Sequence, residues 1–306
     1  MNILKYHRIL LTLCAVLFSA QLVAADAQKI KPFIFAKTET GDMKAIVAKT
    51  KDSLDKNGFT VVGTYSPYAS ATILIVTNDA LRNNAAQTDF GAYGAIQRVT
   101  LTESKDGIQV SYTNPIYMSQ AYRMKSDLSD IKEKLKAALG NSKEYGSDKG
   151  LSAEDLREYH YKWLMPYFSD KIELADYKDQ ATALSKVNEF LGNNKSGAKK
   201  VYQVDLPNKE ESVIGVSMAG SGDFECSGDQ YIMSRIDFKE LKSTGHLPYE
   251  ILVSKGKAYT LHAEFRIAIS FPDLSMVGDN SFASIMCAPT SIKNALTKAV
   301  GGKIEE

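Results

Sequence analysis

The sequence predicts an α+β protein made of tandem β-α-β4-α units, with antiparallel sheets that carry their helices on one face. Three observations lead there. Segments of alternating apolar and polar residues, the mark of a half-buried strand, come in the order strand, helix, four strands, helix. That order recurs after about residue 170, with Pro67 and Pro207 closing corresponding strands 140 residues apart. The third is phase: Ile108, Val110 and Tyr112 match Phe265, Ile267 and Ile269, and the polar positions between them match as well.

In the first copy, residues 31–39 and 59–66 alternate as strands, the second stopping at Pro67. Between them, residues 42–57 place Met43, Ile46, Val47 and Leu54 on one side of a helix that Asn57-Gly58 closes. Residues 71–77 are a further strand, and 79–94 a polar loop or short helix. Residues 95–103 and 107–114 form a hairpin around Asp106-Gly107, a strong turn signal. A helix over about 126–139 carries Leu128, Ile131, Leu135 and Leu139 at helical spacing.

Residues 141–169 read as a linker and a connecting helix. Ser152 and Asp155 resemble a capping box, opening a helix through Leu156, Tyr159 and Trp163 that ends near Pro166. The second copy, 170–306, starts with a strand over 171–177, a helix over 178–191 and a strand over 200–206. Strands follow over 212–218, 231–238, 248–256 and 258–271, and Pro289 begins a last helix through Ile292, Leu296 and Ala299. Pro115 then corresponds to Pro272, 157 residues on, so the second copy carries an insertion within 219–230 or 238–250.

Residues 1–27 have the form of a secretory signal peptide: Lys5 and Arg8, an apolar run from Ile9 to about Val23, then small residues. The expected compartment is the periplasm, and no later segment is apolar enough to be an integral membrane span. Export leaves Cys226 and Cys287, which in an oxidising compartment are expected to pair. Lys+Arg 37 against Asp+Glu 36 gives near-neutral balance without a basic tract. Nucleic acid is therefore not expected as a partner, because such binding is built from many phosphate contacts.

The run "GFTVVGTYSPYASATILIVT", followed by "RVTLTESKDGIQVSYTNPIY" and an amphipathic helix, resembles the domain of unknown function 302 family. The features that carry the resemblance are Gly58-Phe59, the strand pair after it and the hairpin ending in Asn114-Pro115, and it covers about residues 31–140. The second half is similar only in strand order. The resemblance implies a TATA-box-binding-protein-like or helix-grip outline, and it implies no reaction and no catalytic residues.

Candidate chemistry centres on the polar face of the second sheet. Strands over 231–238 and 262–270 would gather Arg235, Asp237, His262, Glu264 and Arg266 on one surface. Such a face can be plain solvated sheet, a homodimer or interdomain interface, or a pocket in which Arg235 and Arg266 hold an anion. The leading expectation is an exported binding or interaction protein for a small molecule or partner protein, needing no cofactor. The alternative is a metal-handling or hydrolase-like protein using His246, Glu250, His262 and Arg266. Met218, Met233, Met276 and Met286 raise copper, but isolated methionines more often fill gaps in a core. The chain has no Gly-x-Ser-x-Gly elbow, phosphate loop, dinucleotide fingerprint or His-Glu-x-x-His.

Overall fold

The computed structural model describes residues 28–193 and 196–304, so the expected signal peptide lies outside the described residues. The first sheet begins with β1 (Phe33–Glu39) and the helix α1 (Met43–Lys56). Asp42 caps α1 by accepting a hydrogen bond from Ala45 N, and Ile46, Thr50 and Leu54 form its buried stripe. β2 (Thr60–Tyr65) and β3 (Ala71–Thr77) follow, then α2 (Asp79–Ala86) and a single 3-10 turn, Gly91–Gly94. β4 (Gln97–Ser104) and β5 (Gly107–Thr113) form the expected hairpin. Gly107 is required there: its φ is +125°, and a Cβ would come 2.7 Å from Glu39 O. Next come α3 (Pro115–Ala121) and α4 (Ser129–Leu139), which buries Ile131, Leu135 and Leu139. β6 (Lys143–Tyr145) then pairs with β1 from within the expected linker, and the strand order is β2-β3-β4-β5-β1-β6. Ser152 and Asp155 do form a capping box, but the helix they open, α5 (Ala153–Arg157), stops well short of Trp163.

The second sheet repeats the wiring. β7 (Lys171–Asp176), α6 (Gln180–Asn193), β8 (Ala198–Asp205) and β9 (Glu211–Met218) lead into a 3-10 turn, Gly222–Ser227. After it come α7 (Asp229–Ile236), a second turn, Thr244–His246, and the hairpin of β10 (Tyr249–Ser254) and β11 (Lys257–Leu261). α8 (Ala263–Ser270), a turn at Phe282–Ile285 and α9 (Ala288–Ala299) complete the chain. The order β8-β9-β10-β11-β7 corresponds strand for strand to β2-β3-β4-β5-β1, and every pairing is antiparallel. The fold is thus α+β with two antiparallel sheets and helices. Cys226 and Cys287 are disulfide-bonded, Cα to Cα 5.8 Å, joining the Gly222–Ser227 turn to the start of α9.

Two strand expectations are overturned. Residues 231–238 lie on α7 and the two residues after it, and residues 263–270 are α8. For α7 the helical signal was present: Asp229, Ile232, Met233 and Ile236, at i, i+3, i+4 and i+7, are its buried residues. α8 is different. Every one of its residues except Glu264 is buried, so it has no polar stripe to set a helical period, and its alternation is accidental. β11 therefore corresponds to β5 and α8 to α3. Asn114-Pro115 aligns with His262-Ala263, not with Phe271-Pro272. The extra length falls between the third and fourth strands, where residues 219–248 replace the shorter 78–96.

The far faces of the sheets are not open. On β4 and β5, Arg98, Thr100, Thr102, Gln109, Ser111 and Thr113 are polar and all buried. Residues 240–248 of the second unit lie across them. Thr102 Oγ1 and Thr244 Oγ1 are 2.9 Å apart, Gln109 Nε2 donates to Glu240 O at 2.9 Å, and Lys242 N donates to Gln109 Oε1 at 3.1 Å. The first unit reciprocates with residues 90–94. Ala92 N and Phe90 N donate to the Glu211 carboxylate at 2.9 and 3.2 Å, and Phe90 meets Tyr259 edge-on. In each unit the segment between its third and fourth strands covers the other unit's sheet. Arg98, Thr102 and Gln109 find partners across that boundary, while Thr100 and Thr113 bond within their own sheet.

Candidate functional site

Seven charged or polar residues at the boundary form one network. Arg98 of β4 pairs with Glu250 of β10, and both are almost fully buried. Arg266 of α8 places Nε 3.3 Å from Glu250 Oε2, a charge contact lacking hydrogen-bond geometry. Its Nη1 donates to Tyr122 OH and its Nη2 to His246 O, each at 2.8 Å. The His246 ring is held between Ser270 Oγ at 3.1 Å and Tyr249 OH at 2.9 Å. Burial, then the charges of Arg266 and Arg98, hold His246 well below the usual histidine range, so the imidazole is neutral.

The expected surface cluster is therefore divided. Arg266 is an interior arginine whose hydrogen bonds are spent on Tyr122 and the chain, out of reach of a ligand. Arg235 lies over the Tyr231 ring, 3.6 Å from its centroid, and donates to Tyr231 O. His262 and Glu264 face each other at 3.7 Å at the start of α8. The metal or hydrolase set is divided too. His246 packs against Ser270 and Phe271 at one end of α8 and His262 precedes the other, about 12 Å away at 1.5 Å rise per residue. Among the described residues, no three His, Cys, Asp or Glu side chains converge as a metal would need.

Asp237 is the member of the predicted set that lines a cavity, and it lines two. The larger, of about 500 Å³, lies between residues 143–148 of the first unit and residues 236–243 and 271–274 of the second. Its apolar wall includes Tyr145, Phe238, Phe271 and Leu274, and Phe238 is 53% exposed. The smaller, of about 420 Å³, lies between Tyr68, Thr102 and the outer face of α7. Asp237 ends α7 in the wall the two share. Its Oδ1 accepts from Ser243 N at 2.9 Å, and its buried Oδ2 meets no hydrogen-bond partner among the described residues. Burial pushes its carboxyl up to about 7, with the Ser243 bond and the Lys242 charge opposing. At the opposite end of α7, Asp229 accepts from Tyr65 OH and from Met218 N, and burial pushes it, too, up to about 7.

Sequence reasoning missed the cleft because its walls come from a three-residue strand in the linker and from the insertion. Only the acid at Asp237 and the aromatic Phe238 beside it were visible. Comparison with known proteins adds no relative: no family model, no curated protein and no solved structure matches the chain.

Proposed function

We propose that the protein is exported to the periplasm and acts there as a binding protein, holding a small molecule in the cleft between its two units. The cleft carries this reading. A volume of about 500 Å³ falls within the range of small-molecule sites, roughly 300–1,000 Å³. Its wall combines an apolar and aromatic patch of Tyr145, Ile236, Phe238, Leu241, Phe271 and Leu274 with charged residues, the two kinds of surface that hold and orient a small molecule. It also lies between two structural units, where ligand sites are frequent. No helix among the described residues is long and apolar enough to cross a membrane. The resemblance of residues 31–140 to the domain of unknown function 302 family, which implies no reaction, is compatible with binding.

Native mass spectrometry of protein taken from the periplasm tests the reading. Wild-type protein is expected to retain a small molecule that Leu241→Arg, which fills the cleft, loses. Arg235→Ala, outside the wall, is expected to retain it. Equal retention by all three proteins, or by none, removes the cleft from consideration.

A further inference from the structure

The charges around the large cleft are unequally satisfied. Glu144 is paired with Lys132 at 2.6 Å, Glu240 with Lys105 at 3.0 Å, and Asp148 and Asp273 with Lys239 at 3.3 and 3.9 Å. Asp237 has no salt-bridge partner among the described residues. Its near lysine, Lys242, donates instead to the Asp237 carbonyl oxygen at 2.9 Å. The position sharpens the imbalance, since a carboxylate at a helix C-terminus adds to the partial negative charge of the last carbonyls. A cation would relieve both. Next to it, the half-exposed Phe238 lines the same cleft, and an aromatic ring attracts ammonium groups.

Resting on the cleft reading above, we infer that the ligand is an amphipathic amine, with its ammonium group against Asp237 and its apolar body along Phe238, Tyr145, Phe271 and Leu274. Of the wall's lysines, Lys239 is committed to Asp148 and Asp273 and Lys31 to Asp148 O at 3.1 Å, while Lys143 is exposed and acts on Glu240. Burial sets the charge state of Asp237, opposed by the Ser243 N–H and the Lys242 charge; the phenols Tyr68 and Tyr145 face it across the boundary and are themselves held protonated near neutrality by burial.

Calorimetry on the full mature chain with n-hexylamine, n-hexanol and n-hexanoate separates the possibilities. The amine is expected to bind at least tenfold more tightly than the alcohol, and the carboxylate least well. Amine affinity should rise about tenfold from pH 6 to pH 8 as Asp237 ionises around pH 7, while the alcohol's stays flat. Asp237→Asn keeps the acceptor for Ser243 N and should bring the amine to the alcohol's level without lowering the melting temperature. If all three probes bind wild type equally, or the Asn variant keeps its amine preference, the amine class is wrong and the cleft survives. If none binds, both fail. The comparison of probes on wild type needs no variant, so a misfolded substitution cannot obscure the result.

Discussion

Glu250 is the residue on which the boundary between the units depends. It is the acid facing both Arg98 and Arg266 in a site closed to water. Burying charges is costly, and removing one member of a buried set leaves an uncompensated charge, typically a loss of about 3–5 kcal/mol. Glu250→Gln is therefore expected to destabilise by about that much in urea titration, and a loss under 1 kcal/mol would mean the arginines are not held by its charge. The acids at the two ends of α7 act in the other direction. Asp229 and Asp237 rise to about 7 from an ordinary 3.8. Between those values the folded chain keeps protons that the unfolded chain has released, so these groups weaken the fold as pH climbs and cease to change it above about 7. Each contributes at most roughly 1.4 kcal/mol per pH unit. The urea midpoint should fall between pH 5 and 7, and Asp229→Asn with Asp237→Asn should flatten that slope. An unchanged slope in the double variant would show that neither acid carries the effect.

At the scale of the element, local rules explain most of what forms. Asp42 satisfies an orphan N–H of α1, and Asp42→Ala should cost about 1 kcal/mol in thermal or urea melts. The strands of both hairpins, the start of α5 and the proline-led start of α9 follow from side-chain chemistry within a few residues. α8 does not. Ala263, Phe265, Ile267 and Ile269 alternate as a strand does, and no neighbour corrects the pattern, because the helix is buried on every side that could have been polar. β6 was invisible for the opposite reason: three residues, Lys143, Glu144 and Tyr145, carry too little period to register, and they pair because β1 offers an edge. Hydrogen exchange offers a check. Amides from Ile267 to Ser270 should be protected as a helix is, with α8 among the last segments to exchange.

For the whole molecule, the segments between the third and fourth strands, 78–96 and 219–248, decide the architecture. Each crosses to cover the partner sheet's polar face, so the two units share one buried boundary with hydrogen bonds and ion pairs passing through it. Unfolding is expected as one calorimetric transition, since parting the units strips Arg98, Thr102 and Gln109 of their partners. Two resolved transitions would show that the units are energetically separate. The Cys226–Cys287 bond fastens the second of these segments to α9 across 61 residues, and its reduction should cost about 2–4 kcal/mol. A reduced protein as stable as the oxidised one would make the bond energetically idle.

What the amino-acid sequence determined by itself is whatever depends on near neighbours: the β-α-β4-α order, its repetition, the caps and turns, and a pairing of two cysteines. Those follow because periodicity, capping and turn geometry act over a few residues, and because Cys226 and Cys287 are the two cysteines outside the expected signal peptide. The tertiary structure alone decided where Arg266 and Asp237 point, which segment covers which sheet, and that a cleft lies between residues 143–148 and 236–243. Such facts depend on groups from different elements, and often from different units, meeting in space. A buried arginine and a solvated one are the same letter until the chain has folded around it.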